Sequence, residues 1–225
     1  MSAELSDLSY SVKYGSVIIT DCKTTATGEL EIPASIEEIP VSKIGSAAFR
    51  GCSNLTSITI PDGVTTIGDE SFYSCSSLAA ITIPDTVFSI GESAFRYCNS
   101  LTAINLPEGI TSIGDSAFHN CGSLSEVLIP STVTQIGERA FRDCKNLARI
   151  VIPAGVSNVE RLAFYGCTNL RQVHIEGELP SFGSNVFGGS ANSYITYSGD
   201  ITMVAGRPSF SPSQLFEVNN LRETI

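Results

Sequence analysis

Cysteine offers the widest choice of chemistry in this sequence, because a thiolate can attack, ligate a metal or pair into a disulfide. Six of the seven cysteines, Cys52, Cys75, Cys98, Cys121, Cys144 and Cys167, are each separated by 23 residues. If the period reflects a physical stack, successive positions fall within disulfide range, where bridged Cα atoms lie about 4.4–6.8 Å apart. The pattern opposes both a disulfide chain and a metal ladder. An odd count leaves a paired framework incomplete, C-x-x-C spacing is absent, and zinc demands four convergent ligands. A cysteine repeated at one strict position is read as a small buried hydrophobe. Cys22 stands outside the period and is the thiol expected to titrate, with Lys23 its only basic neighbour.

Catalysis needs a nucleophile, a base and an orienting group in one place, and the chain has two histidines to offer. His119 shares a column with Arg50, Tyr73, Arg96, Arg142 and Tyr165. Glu92–Arg96, Asp115–His119 and Glu138–Arg142 are spaced i to i+4, which predicts ion pairs along a helical surface; the alternative is a basic and aromatic stripe for an acidic partner. His174 lies beside Arg149, Arg171 and Gln172 with no serine to activate. The chain is therefore read as non-enzymatic, with no catalytic residue, no cofactor and no metal. Asp62, Asp85 and Glu108 occupy one turn position of successive repeats, an arrangement open to a weak calcium site or to ordinary solvated turns. Thr65, Thr111, Thr134 and Ser157, interrupted by Phe88, form a hydroxyl array that could meet ice or glycans, or reflect strand propensity alone.

These residues are positioned by the repeat itself, since self-similarity at such a period marks stacked coils. Leu55 to Leu170 and Phe49 to Phe187 recur at 23, and prolines follow at Pro61, Pro84, Pro107, Pro130 and Pro153. In one unit, Leu101, Ile104 and Leu106 alternate as a half-buried strand, Pro107-Glu108-Gly109 turns, and Ile110 and Ile113 bracket a second extended piece. After the Gly114 corner, Ala117, Phe118 and Cys121 are spaced by one, three and four, which predicts a helical turn over 115–121 opened by an acidic residue. A single coil cannot bury its inward side chains, so parallel stacking about 4.8 Å apart completes the core. The expected organisation is a capping hairpin at 1–27, repeats at 28–187 with an enlarged first coil, a capping strand region at 188–205, and a tail or linker at 206–225.

A formal charge of -10, from 23 acidic against 13 basic residues, argues against a nucleic-acid or anionic-membrane partner, which requires clustered Lys and Arg. No segment reaches the roughly 18 apolar residues of a membrane span, so direct insertion is not expected. Met1 to Val12 lacks the basic and apolar regions of a secretory signal. A cytoplasmic location therefore stays open, and because trimming of a leader or of flanking domains would leave such a start, the termini do not decide the location.

The motif L-x-x-I-x-I-P followed by V-x-x-I-G-x-x-A-F-x-x-C, repeated from Leu30 to Phe187, resembles the BspA-like (Treponema pallidum type) leucine-rich repeats. The resemblance implies a right-handed, arc-shaped, β-rich α/β solenoid with a parallel concave sheet, short second strands and short helical turns. It also implies a non-enzymatic cell-surface or secreted protein used in adhesion and recognition. Val159-Glu160 and Ile175-Glu176 depart from the motif in the last coils.

Outward strand positions are free of packing constraint and carry partner contacts in repeat proteins. Early coils place Ser57, Thr59, Ala80, Thr82, Ala103 and Asn105 there, while later ones place Glu126, Leu128, Arg149, Val151, Arg171, Gln172 and His174. Leu128 and Val151, rimmed by opposite charges, have the make-up of an interface core. The predicted function is recognition of a protein or glycoprotein ligand, host or matrix, by a monomer through these seven residues. A structural spacer for a larger protein is the alternative reading, and a glycan- or ice-binding Thr column the third.

Overall fold

The structure is a computed structural model that describes residues 3–190, 193–197 and 201–205. It is a β-solenoid of about seven coils, with one short 3-10 turn, Leu5–Asp7, as its helical element among the described residues. The chain enters through a hairpin, β1 (Leu8–Lys13) and β2 (Ser16–Cys22), whose tight turn carries Tyr14 and Gly15 at φ 53 and 74. The enlarged first coil contributes β3 (Gly28–Glu31), β4 (Ser35–Ile36) and β5 (Ile39–Ile44). From there each coil alternates a longer front strand with a two-residue back strand.

The front strands are β6 (Leu55–Thr59), β8 (Ala80–Thr82), β10 (Ala103–Asn105), β12 (Glu126–Leu128), β14 (Arg149–Ile152) and β16 (Gln172–Ile175). Their back counterparts are β7 (Thr66–Ile67), β9 (Ser89–Ile90), β11 (Ser112–Ile113), β13 (Gln135–Ile136), β15 (Asn158–Val159) and β17 (Ser181–Phe182). Between the two, the N–H of Val64, Val87, Ile110, Val133 and Val156 donates to the carbonyl of the proline three residues earlier. A fixed proline φ sets up that turn. At the far end β18 (Ser193–Tyr197) pairs in parallel with β16, and β19 (Ile201–Ala205) folds back on it. The hairpin β1–β2 thus extends the back ladder through β5, whereas β18–β19 extends the front one. The predicted tail at 206–225 lies outside the described residues.

The third side of each coil corrects the expectation of helical turns. Over 115–121, Ser116 and Asn120 adopt φ of 55 and 64, a left-handed conformation that a continuing helix excludes. Alternate N–H groups turn sideways: Ser116, Phe118 and Asn120 donate to the carbonyls of Glu138, Ala140 and Arg142 in the next coil. The intervening Ala117, His119 and Cys121 donate three residues back. The apolar spacing that suggested a helix is also satisfied by consecutive turns with an inter-coil ladder.

Inside, the core is a set of columns. Phe49, Phe72, Phe95, Phe118, Phe141, Phe164 and Phe187 stack with ring centroids 5.1–5.6 Å apart and planes within 13° of parallel. The first six are fully buried. The ring step is close to the strand spacing of a ladder, so one repeat sets both.

Candidate recognition face

The front sheet is not one continuous ladder. It divides into β3-β6-β8, β10-β12 and β14-β16-β18-β19. Between β12 and β14 the strands part, leaving a groove of about 320 Å³ lined by Ser125, Glu126, Val127, Leu128, Ala148, Arg149 and Val151. Four of the seven predicted residues line this opening. Leu128 is 63% exposed, unusual for leucine in the middle of a sheet. Glu126 and Arg149 are also exposed, and no ion pair joins them. Val151 is half-buried rather than exposed.

Arg171, Gln172 and His174 sit one coil further on. The β14/β16 register sets Gln172 beside Arg149 and His174 beside Val151. Arg171 precedes the strand, where its N–H donates to Ala148, and its side chain is exposed. Sequence reading missed Ser125 and Ala148. The equivalent positions of the earlier coils, Thr56, Ala79 and Thr102, are small as well, so the sequence carried no signal that separates these two.

The thiols follow the structural reading. All seven cysteines are free and buried. The Sγ of Cys75, Cys98, Cys121, Cys144 and Cys167 donates to the carbonyls of Phe49, Phe72, Phe95, Phe118 and Phe141 at 3.0–3.1 Å. Burial pushes the Cys121 and Cys167 thiols up to about 12. Cys22 corrects its prediction as the titrating thiol, being only 2% exposed. Its hydrogen bond with Cys52, together with burial, pushes its pKa up. Cys52 Sγ donates to the Cys22 carbonyl, which takes the place that the phenylalanine carbonyls hold in the later coils.

On the turn side, His119 is 8% exposed and lies 3.7 Å by Nε2 from Asp143, with Nδ1 buried and unpartnered. Burial, then the Arg96 and Arg142 guanidinium groups, pull its pKa down to about 4. None of the predicted i to i+4 pairs forms among the described residues. Glu138 pairs with Arg139 and Arg161, Arg50 with Glu70, and Arg142 with Asp143. Left-handed residues rotate fourth neighbours apart, and the adjacent coil comes closer. Arg50 lies over Tyr73, Arg96 over Tyr97 and Arg142 over Tyr165, with centroid distances of 4.8–5.2 Å.

The remaining candidates divide. Glu108 accepts from the backbone and hydroxyl of Ser131, and no group of three His, Cys, Asp or Glu able to hold a metal occurs among the described residues. In the hydroxyl column, Thr65, Thr134 and Ser157 each donate to a carbonyl of the preceding coil at 3.2–3.4 Å. Those hydroxyls reinforce the ladder.

The model of the BspA type leucine rich repeat region matches residues 22–148 and 134–224. Among solved structures, the leucine rich repeat protein of T. pallidum is 35% identical, covering 84% of this chain and 89% of its own, with a TM-score of 0.76. A leucine rich cell surface protein from Faecalibacterium prausnitzii is 25% identical over 88% and 76% of the two chains, with a TM-score of 0.51. A leucine-rich repeat protein from Eubacterium ventriosum is 26% identical over 80% of this chain and 50% of its own, with a TM-score of 0.67. No curated protein sequence matches the chain. Repeat proteins of this type commonly mediate protein interactions and are generally non-enzymatic. The repeat motif, the stacked coils and these matches together make the chain a member of the BspA-type leucine-rich repeat family.

Proposed function

We propose that this protein is a recognition module that binds a protein or glycoprotein partner through the later strands of its front sheet, the face that corresponds to the concave side of an arc-shaped repeat. The observation that supports this most is the groove between β12 and β14, where an exposed Leu128 stands between Glu126 and Arg149, which form no ion pair among the described residues. An apolar anchor enclosed by polar groups is the composition of an interface hot spot. Early front positions are small and neutral, so they offer a partner little to grip. The F. prausnitzii relative is described as a cell surface protein, which supports a surface or secreted location.

The test is capture from host-cell and matrix extracts by the parent chain and by a Leu128→Asp, Arg149→Glu double variant. Both sites are exposed, so the melting temperature should be unchanged. Partners held by the parent and lost by the variant place recognition on this groove. An identical captured set would exclude it.

A further inference from the structure

A second opening lies on the opposite face. The back ladder breaks between β9 and β11, dividing into β1-β2-β5-β7-β9 and β11-β13-β15-β17. The missing bonds are specific. Gly45, Gly68, Gly91 and Gly137 donate their N–H to Ile19, Ile44, Ile67 and Ile113, while the corresponding bond from Gly114 to Ile90 is absent. Thr65, Phe88, Thr134 and Ser157 likewise donate to Ser42, Thr65, Thr111 and Thr134, but Thr111 does not donate to Phe88.

Packing at this seam is correspondingly loose. A Cβ built on Gly68 or Gly137 would lie 2.6–2.8 Å from backbone of the preceding coil, whereas on Gly114 the nearest atom is 3.4 Å away. Ile81, Ile83 and Ile90 are only half-buried although their counterparts in neighbouring coils are buried. A groove of about 400 Å³ opens here, lined among others by Ile90, Ser112, Ile113 and the acidic Asp69, Glu92 and Asp115. Two residues before Ile90 in the chain, Phe88, 59% exposed, replaces the Thr or Ser of the other coils.

We propose that this seam is a second docking groove, separate from the front face, that takes a short extended peptide segment combining apolar side chains with lysine or arginine. Two features select that occupant. Phe88 and Ile90 supply apolar surface on which a leucine-sized side chain can be desolvated. Asp69, Glu92 and Asp115 form no ion pair among the described residues, unlike Glu138 in the next coil, so the rim favours a cationic segment over an anionic one. The turn-side ladder stays intact across the seam, where Ser93, Phe95 and Tyr97 donate to Asp115, Ala117 and His119. The groove therefore opens on the back face of coils that remain joined through the turn side, while the front strands β8 and β10 are also unpaired here.

The experiment uses amide hydrogen exchange and NMR on the chain with two probes, acetyl-Lys-Leu-Lys-Leu-Lys-amide and acetyl-Glu-Leu-Glu-Leu-Glu-amide. In the free chain Gly114 and Thr111 should exchange at least tenfold faster than Gly137 and Thr134. The basic peptide should slow them and shift resonances around 88–90 and 111–114, while the acidic peptide leaves them unchanged. Phe88→Thr restores the repeat pattern and should keep the melting temperature while weakening the basic peptide at least tenfold. A Glu92→Gln, Asp115→Asn variant should weaken it several-fold and flatten its salt dependence. Equal protection of Gly114 and Gly137 in the free chain, equal binding of the two peptides, or shifts confined to the groove beside Leu128 would each overturn the proposal.

Discussion

Single residues in this molecule are judged against their column, because the same environment recurs every 23 residues. Ser71 occupies the position held by Ala48, Ala94, Ala117, Ala140 and Ala163, and its hydroxyl is buried without a partner. An unsatisfied buried donor costs about 1–3 kcal/mol. Ser71→Ala is therefore expected to stabilise the chain by about 1 kcal/mol, read as a higher urea midpoint at unchanged slope. The thiols make a linked prediction. Burial raises the folded pKa of Cys121 and Cys167 from 9.0 to about 12, so the unfolded chain releases these protons first. Their contribution is complete below about pH 9 and is lost as pH rises toward 12. Urea midpoints measured between pH 8 and 10.5 should fall, and less steeply in Cys121→Ala. Thiol reagents should label the folded chain only as fast as it opens.

At the scale of one coil, the strand, proline turn and glycine corner are each set by nearby residues, and all three were legible in the sequence. The helical turn was not. Spacings of one, three and four among Ala117, Phe118 and Cys121 fit both a helix and a run of turns whose alternate N–H groups bond sideways. Only contact with the next coil separates the two. The corner glycines give the sharpest element-level prediction. Gly68→Ala forces a Cβ to 2.6 Å from the Ser46 nitrogen and should cost about 2 kcal/mol by the usual range for overpacking. Gly114→Ala meets nothing nearer than 3.4 Å and should be neutral or stabilising by about 0.5 kcal/mol, because the unfolded chain loses freedom. Paired denaturation curves of the two variants check the seam without any ligand. The candidate recognition strands belong to this scale as well. Glu126, Leu128, Arg149 and Val151 were identifiable because they vary at positions that are otherwise uniform, whereas the parting of β12 from β14 left no local mark.

For the whole molecule, the energetics are those of a one-dimensional stack in which each coil contacts only its neighbours. The weakest interface lies between the coils of Phe95 and Phe118, where the back ladder breaks and β8 and β10 do not pair, the front being joined only at the strand entries by bonds from Ser100 to Ser76 and from Thr102 to Ala79. Unfolding is expected to proceed in two steps, with a calorimetric enthalpy above the van't Hoff value. Phe72→Ala and Phe141→Ala, each costing about 3–5 kcal/mol, should shift different steps. A single cooperative transition displaced equally by both would show that the seam is closed in solution. The sequence by itself determined the repeat, the buried columns, the turns and the family, because inward side chains must recur whenever each coil packs on a near-copy of itself. Only the tertiary structure decided where neighbouring coils part, at Leu128 on the front and at Ile90 on the back. The continuity of a ladder depends on how two successive coils fit together, and that fit is a property of the pair that no single stretch of sequence contains.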